Sequence, residues 1–531
     1  MPSLSKLLEP TESGRVYAWL IGASLVLAAL SLLLPSTPSY DPWAWIVWGH
    51  QILHGSLHTA GGPSWKPLPV IFTTIFALFG RAAPDLWLVV ARAGAIALAL
   101  MTFRFTVRIT GSMRAGVVGA DRPPTTQRLA PALLAGVVAV VAVVLAGNLL
   151  SNSALGYSEG LATAVILIGL ERHLDGHPRQ AFAWGFVAAL DRPEIWLFWG
   201  PYGLWLMWKD PGSRRLVFSL GVLTLLLWFV PQQVGGGSLT SGVSRAQQPL
   251  KSSAAFANCP FCSELSQHAW FLVPLRVKVA AFLAMIAAAV ALLRAKGIVG
   301  QRGRAMAMLL LCGLFGYGWW VLIAIETQAG FSGNDRYLVT GSVFIDIAGA
   351  VGYAWAAIAL ANWLAGRLGA IRATAVGTLV AALVFLVVPG AVTASLISLS
   401  STHKELDYQA TLRSNLSALV AEAGGAQRLR DCAAGNVTVE RFQLPMVAWY
   451  LDVRLSQLEI QPNTETDAGF FAEIVKPGTT LARWPAVIFQ DRSVSSSGLR
   501  PTPGAISRWE RAGARYTVRR LPEMTLYEDC G

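Results

Sequence analysis

The sequence predicts a polytopic α-helical membrane protein with about eleven transmembrane helices, juxtamembrane helices in the first outer loop, and a small C-terminal extracytoplasmic α/β domain. Of the 531 residues, 54% are hydrophobic and 14% are charged, whereas soluble domains carry roughly 25% charged residues. Apolar segments of about 20 residues, the length that crosses a bilayer, recur along the chain. Basic residues gather in short loops that fall on one side of the predicted membrane.

Those basic loops set the predicted orientation and explain the net charge of +12, so nucleic acid is not indicated as a partner. Lys6 and Arg15 precede the first apolar segment, Val16–Pro35. We interpret this segment as an uncleaved helix with a cytoplasmic N-terminus. The predicted location is the plasma (inner) membrane, with many crossings.

The first outer loop decides how the following helices cross. Ser36–Lys66 is too polar to span, and Pro67–Gly80 is short for a span, which favours a juxtamembrane helix. The next crossing, Asp85–Phe103, then delivers a run of arginines to the cytoplasm, as the positive-inside rule favours. These arginines are Arg104, Arg108, Arg114, Arg122 and Arg128.

The remaining crossings include a helical hairpin whose turn is Asp191-Arg192-Pro193-Glu194, because proline ends a helix and charges in lipid need partners. A long outer loop, Gln232–Trp270, follows the seventh crossing. The crossings after Asp85–Phe103 are Leu129–Leu150, Glu159–Leu170, Ala181–Leu190, Ile195–Trp208, Leu216–Pro231, Phe271–Leu293, Ala305–Ile325, Tyr337–Leu360 and Ala373–Leu399.

A change of composition near residue 400 divides the chain into a membrane domain, 1–400, and an extracytoplasmic α/β domain, 401–531. Asn436–Phe442 and Leu455–Ile460 have strand-like patterns, and Leu406–Ala423 has an amphipathic helical one.

Four of the five cysteines lie in segments predicted to be outside. Cys259 and Cys262 are in the long outer loop, and Cys432 and Cys530 are in the tail, so two disulfides are permitted. Free thiols are the alternative. A metal site is not favoured, because the chain has no second CxxC.

Asp41, His54 and Lys66 make the first outer loop the leading candidate for chemistry. A carboxylate at the interface suits general-base catalysis on a hydroxyl, although Asp41 also fits an Asp-Pro turn. Lys66 can bind a lipid phosphate or snorkel between aromatic side chains. His54 is a further candidate for binding substrate or phosphate.

Later segments add a second acid and several cations. Glu159 opens a helix, where a negative charge is also favourable for the helix itself. Arg92 lies inside a predicted span, which indicates a partner or a cavity. Arg192 and Glu194 form either a self-paired turn or part of a binding site. Arg336 and Tyr337 can bind phosphate or sugar, or anchor the helix at the interface.

Cofactor motifs are scarce. His50, His54 and His58 have i, i+4 spacing, but Gly55 interrupts a helix there and no carboxylate completes the set, so no metal site is predicted. A divalent cation is left open without support from the sequence. P-loop, HExxH and GxSxG motifs in the right context are lacking, which favours a lipid-carried donor over a nucleotide.

The order of these residues resembles the GT-C superfamily of integral-membrane glycosyltransferases, in the branch with protein O-mannosyltransferases and the aminoarabinose transferase of lipid A. The resemblance covers roughly residues 15–400. The matching positions are Asp41, Lys66-Pro67-Leu68-Pro69, Leu78-Phe79-Gly80, Arg92, Glu159, Gly185 to Glu194, and Arg336-Tyr337-Leu338.

The resemblance implies inverting transfer of a sugar from a polyprenyl-phosphate donor in the membrane lipid to a glycan, lipid or protein acceptor on the outer face. It assigns the general base to Asp41, phosphate contacts to Lys66 and Arg336, and acceptor placement to Glu159. The chain departs from the family where Lys66-Pro67 lacks an adjacent second proline, and where Asp41 lacks a neighbouring acid for a metal.

Two other classes remain open. A transporter or flippase of a lipid-linked envelope precursor predicts charges along a central path and an internal repeat, and we find no repeat. A non-catalytic envelope-assembly subunit predicts that Asp41 and Lys66 can be replaced without loss of function.

Overall fold

A computed structural model describes residues 14–113, 125–145, 149–249, 253–295, 297–298, 300–386, 391–433, 437–460, 485–491, 506, 510 and 513–530. Lys6, Arg114 and Arg122, which contribute to the predicted orientation, lie outside these residues. The helices up to residue 209 are α1 (Arg15–Leu30), α2 (Tyr40–Leu53), α3 (Pro67–Phe76), α4 (Ala83–Met113), α5 (Thr125–Leu145), α6 (Leu149–Ala154), α7 (Glu159–Leu174), α8 (Pro178–Ala189) and α9 (Trp196–Lys209). The later helices are α10 (Arg214–Gly236), α11 (Ser241–Ala246), α12 (Pro260–Ser263), α13 (Trp270–Leu272), α14 (Leu275–Arg294), α15 (Gly300–Gln328), α16 (Asp335–Leu368), α17 (Ala370–Leu386), α18 (Ala391–Glu422), α19 (Ala426–Ala433) and α20 (Leu444–Leu451).

Six helical segments of the described chain are long and apolar enough to cross a membrane, by length and composition. They are Arg15–Leu33, Pro67–Met113, Pro211–Gly236, Leu275–Arg294, Gly300–Gln328 and Asp335–Leu368. Leu129–Leu145 and Ala370–Leu386 are also apolar but shorter. The chain is therefore a helical protein of membrane type, while the count of about eleven crossings stays a prediction.

The segment predicted to be a juxtamembrane helix forms the ten-residue helix α3. Pro67 takes its first position, where a missing N–H removes no helical hydrogen bond. Gly80, with φ at 54°, turns the chain between α3 and α4 in a backbone region that favours glycine. The turn makes α3 a separate short helix rather than the start of α4.

Helix α4 runs beyond its predicted end at Phe103 and includes Arg104 and Arg108, so the prediction that these arginines lie in a loop is wrong. Arg104 Nε lies 3.0 Å from Glu171 Oε1, and Arg108 lies 2.5 Å from both Glu171 and Asp175. Carboxylates at the end of α7 thus neutralise both guanidinium groups. Paired in this way, the arginines can be buried in a continuing helix.

Helices α4 and α7 pack closely because each presents a glycine to the other. A Cβ on Gly94 would lie 2.6 Å from the Cα of Leu161, and one on Gly160 would lie 3.0 Å from the Cα of Ala95. This contact fixes the start of α7, where Glu159 lies, against α4.

The outer loop predicted over Gln232–Trp270 is largely helical, which corrects the sequence interpretation. Helix α10 continues to Gly236, and α11, α12 and a π-helical turn, Glu264–Ala269, follow. Cys259 and Cys262 form a disulfide at the start of α12. Short helices of this kind lack the long apolar pattern that identifies spans.

The C-terminal region contains one five-stranded sheet in the order β2-β1-β3-β5-β4. Its strands are β1 (Val437–Val439), β2 (Leu458–Ile460), β3 (Val487–Asp491), β4 (Thr517–Arg520) and β5 (Met524–Glu528). Strand β1 is parallel to β2 and β3, whereas β5 is antiparallel to β3 and β4. The two predicted strands exist but are shorter, because Arg441–Gln443 and Leu455–Gln457 are 3₁₀ turns.

The predicted boundary at residue 400 falls inside α18. Leu412, Leu416 and Leu419, the predicted apolar face of this helix, are fully buried. They belong to a core that also contains tryptophans of α2 and strand residues of the sheet. A disulfide joins Cys432, on α19, to Cys530, beyond β5. The tail thus packs directly on the first outer loop.

Candidate active site

Asp41 and Arg336, each in the first turn of its helix, form an ion pair between α2 and α16. Arg336 Nη2 donates to Asp41 Oδ2 at 2.6 Å. The start of α2 suits a carboxylate, since the helix dipole is positive there. Asp41 Oδ1 has no hydrogen-bond partner in the described part of the chain, so it is available to a ligand.

Glu159, the first residue of α7, lies among three cations. Its Oε1 accepts a hydrogen bond from Arg192 Nη2 at 3.0 Å. The same oxygen lies 3.6 Å from Lys66 Nζ and 4.0 Å from Arg336 Nε. Asp41, Lys66, Glu159, Arg192 and Arg336 therefore meet at one place, which we call the charge cluster.

Lys66 is held in the charge cluster by the chain on both sides of it. Its backbone is extended at the start of α3, and the N–H of Leu68 donates to the carbonyl of Leu190 in the hairpin at 3.0 Å. Lys66 Nζ donates to Ser158 Oγ at 3.4 Å and lies 5.2 Å from the Trp45 ring centroid. These are long contacts, so the ammonium group can exchange them for a stronger anionic partner.

The hairpin turn both pairs with itself and reaches the charge cluster. Arg192 Nη1 donates to Glu194 Oε1 at 3.1 Å, while Nη2 donates to Glu159 Oε1. The turn is therefore self-paired, as one of the two interpretations has it, and it also contacts Glu159. Whether Arg192 and Glu194 contact a substrate stays a prediction.

Two tyrosines pack against the arginines of the charge cluster. The Arg336 guanidinium lies 4.1 Å from the ring centroid of Tyr157 and donates to the Tyr337 hydroxyl at 3.2 Å. Arg192 lies 4.3 Å from the Tyr337 ring centroid. Burial raises the pKa of Tyr157 to about 12, so this phenol stays neutral. Cation–π contacts of this kind hold the arginines in place without neutralising their charge.

The charge cluster is shielded from solvent. The side chains of Asp41, Lys66, Glu159, Arg192 and Arg336 are between 2% and 12% exposed. Buried charges are costly and mark functional sites when they converge.

Several buried polar atoms of the charge cluster lack a hydrogen-bond partner within the described residues. They include Glu159 Oε2, Arg192 Nε and Arg336 Nη1, and the neighbouring Glu194 Oε2 is unpaired as well. Buried polar groups are normally satisfied, so unpaired donors and acceptors at one place make it a candidate ligand site. Arg336 Nη1 in particular is a charged donor that has no acceptor in the part of the chain that the structure describes.

Two of the predicted binding residues lie elsewhere. Arg92 donates to the carbonyl of Ala154 and to Ser31, so its contacts tie α6 to the end of α1. His54 caps α2, with its Nδ1 2.8 Å from the carbonyl oxygen of His50. Neither residue contacts the charge cluster in the described structure.

The sequence reasoning missed three members of the site. Tyr157 and Ser158 immediately precede Glu159 and contact Arg336 and Lys66. Asp191 is fully buried and interacts electrostatically with Lys66 and Glu159. The signal for Asp191 was its place in the charged hairpin turn, whereas Tyr157 and Ser158 carry no recognisable pattern.

A metal site is not apparent in the part of the chain that the structure describes. No group of three or more His, Cys, Asp or Glu side chains there is placed to hold a metal ion.

The fold and the charge cluster define a class: a multi-spanning helical membrane protein whose buried acids and cations meet where α2, α7 and α16 begin. Crystal structures of ArnT from Cupriavidus metallidurans are similar to this chain. The one bound to undecaprenyl phosphate shares 13% identity with a TM-score of 0.46, covering 97% of this chain and 98% of that chain. The apo state shares 14% identity with a TM-score of 0.45 over the same shares of both chains. No protein-family model matches the chain, and no curated protein does.

Proposed function

We propose that the protein transfers a sugar from a polyprenyl-phosphate-linked donor to an acceptor hydroxyl on the extracytoplasmic face of the membrane, with inversion. The observation that carries this proposal is the charge cluster. Within the described residues, the Asp41 carboxylate has one oxygen without a hydrogen-bond partner and lies beside arginines that have unpaired donors. These groups lie at helix starts that follow the predicted outer loops.

Asp41 is the general base. The acceptor hydroxyl approaches Oδ1, and its proton passes to the carboxylate as the oxygen attacks the anomeric carbon of the donor sugar. The bond from that carbon to the phosphate oxygen breaks, and the polyprenyl phosphate leaves with the bonding electrons. The ion pair with Arg336 orients Asp41 for this step.

Lys66 and Arg336 receive the leaving phosphate. Lys66 Nζ holds only contacts of 3.4 and 3.6 Å, and Arg336 Nη1 holds none within the described residues. When Asp41 takes up the proton, its attraction for Arg336 weakens at the moment when the phosphate gains charge. The same arginine therefore pairs first with the base and then with the leaving phosphate.

The test uses the purified full chain in nanodiscs with a panel of radiolabelled polyprenyl-phosphate sugars and a mixture of envelope glycans and lipids. We expect one donor to be consumed, with release of polyprenyl phosphate and a labelled product. Failure to consume any donor would contradict the proposal. Movement of the lipid between leaflets that survives Asp41→Asn would instead support the flippase alternative.

A further inference from the structure

A cleft between α2 and the C-terminal region lies outside the charge cluster. Its volume is about 430 Å³. One wall is the C-terminal half of α2, with His50, Gln51 and His54. The other wall is α20 and the chain that follows it, with Trp449 and Asp452 among its residues. The cleft exists only because the tail packs on the first outer loop.

The lining combines an aromatic ring with planar polar groups. Trp449 is half-buried and is held edge-to-face by His50, with ring centroids 5.6 Å apart. Gln51, Asp452, Arg454 and Gln457 place amide, carboxylate and guanidinium groups around it. A flat apolar face suits the C–H face of a sugar ring, and planar donors and acceptors suit pairs of adjacent hydroxyls.

The contacts that Asp452 makes with charged groups at the cleft are long. Asp452 Oδ1 lies 3.8 Å from His50 Nδ1, and Oδ2 lies 3.6 Å from Arg430 Nη1. The Asp452 side chain is 67% exposed. Its carboxylate is thus free to accept hydrogen bonds from a ligand.

Asp452 and His50 each have a setting that bears on the cleft. Asp452 is the left-handed C-cap of α20, with φ at 53°, so it begins the chain that forms the rest of the second wall. Burial, followed by the neighbouring His54, lowers the pKa of His50, while Asp452 opposes the shift. A neutral imidazole offers one donor and one acceptor, which matches a hydroxyl.

The cleft and the proposed base share one helix. At 1.5 Å per residue, the rise from Asp41 to His50 along α2 is about 13 Å. A polymeric acceptor of a few sugars spans that distance, with its terminal hydroxyl at the base and its preceding sugars in the cleft. A volume of this size also falls in the range of small-molecule sites.

We propose that the cleft between α2 and α20 binds a saccharide segment of the acceptor, with Trp449 as the stacking platform and Asp452 as the hydroxyl acceptor. The role of this segment as the acceptor rests on the proposed function, whereas its binding does not. Specificity for the acceptor then resides at the interface of the two regions rather than in the charge cluster.

Binding is tested directly with the full-length protein in nanodiscs by saturation-transfer NMR. The probes are linear hexamers of glucose, galactose, mannose and arabinose. At least one hexamer is expected to bind saturably, and both Trp449→Ala and Asp452→Asn are expected to weaken it at least tenfold. Glu459→Gln, an exposed change of equal charge on β2, is the matched control. Binding of none of the hexamers, or unchanged affinity in Asp452→Asn, would overturn the proposal.

A second measurement separates this proposal from the proposed function. Asp41→Asn is expected to keep saturable binding of the same hexamer, because the cleft holds the preceding sugars, while it loses sugar transfer. Hexamer binding without donor consumption would contradict the proposed transferase activity and support the saccharide site. Donor consumption with an unchanged acceptor KM in Asp452→Asn would contradict the saccharide site and support the proposed transferase activity.

Discussion

Arg336 and Asp41 are 295 residues apart in the chain and 2.6 Å apart in the structure. The contact joins the first outer loop to a helix far along the sequence. It also gives the carboxylate a fixed orientation and leaves its second oxygen open.

Asp41→Asn is expected to lower the rate of sugar transfer by about 10²–10⁴-fold, because the amide cannot accept the acceptor proton. Transfer is measured as release of polyprenyl phosphate. The control is Asp210→Asn, which removes an aspartate from a surface pair with Arg179. A rate in Asp41→Asn equal to that of the control would remove Asp41 from the mechanism.

Lys66→Met is expected to raise the KM for the donor about tenfold, since a charge-assisted contact to phosphate contributes on the order of 1.5 kcal/mol. Lys66→Arg should recover part of the affinity because it restores the charge. Donor KM is compared with the thermal stability of each variant. An unchanged KM in a folded Lys66→Met variant would assign Lys66 a purely structural role.

Arg108→Ala is expected to destabilise the fold by about 3 kcal/mol, because it removes a cation shared by two buried carboxylates, which keep Arg104 and Arg172 as partners. Those carboxylates are Glu171 and Asp175, both within 2.5 Å of Arg108. Unfolding in detergent measures the effect. Arg179→Ala, which breaks an exposed pair with Asp210, should change stability little. Equal losses in the two variants would show that the buried network is not special.

Glu264 is expected to make stability fall as pH rises. Burial, helped by Asp335 and opposed by His268, raises the pKa of this carboxyl from 4.5 to about 7. Between these values the folded state holds a proton that the unfolded state has lost, so raising the pH favours unfolding.

Glu264→Gln should flatten this dependence and raise the Tm at pH 8 relative to the unaltered protein. Melting curves from pH 4 to pH 8 test it. A pH profile of Tm that keeps the same slope in the variant would contradict the shifted pKa. His268 lies 2.5 Å from Asp335 and opposes the shift in the pKa of Glu264, so His268→Gln is measured alongside.

The candidate site was predictable to the extent that its residues stand in polar segments between apolar ones. Asp41, Lys66, Glu159 and Arg336 stood out for that reason, and the structure brings them together, while their roles stay predictions. Arg92 lies apart from the charge cluster and donates to backbone carbonyls, and contacts of that kind leave no trace in a sequence. Tyr157 and Ser158 were invisible because their importance comes from folding alone.

The fold was predictable where apolar length dominates and less so where tertiary pairing overrides it. Helix α4 continues beyond its apolar stretch because Glu171, on α7, neutralises the charges of Arg104 and Arg108. The strands of the tail are only three to five residues long. Segments that short carry too little periodicity to locate β3 to β5 in advance.

The unbroken course of α18 through residue 400 has a practical consequence for dissecting this protein. Severing the chain there would cut a helix in mid-course, and separating the two parts would uncover three leucines of the tail and the tryptophan-rich flank of α2. An isolated tail would expose apolar side chains and tend to aggregate. A membrane domain without the tail would lose one wall of its outer loop. The two regions are better swapped or altered together than studied as separate pieces.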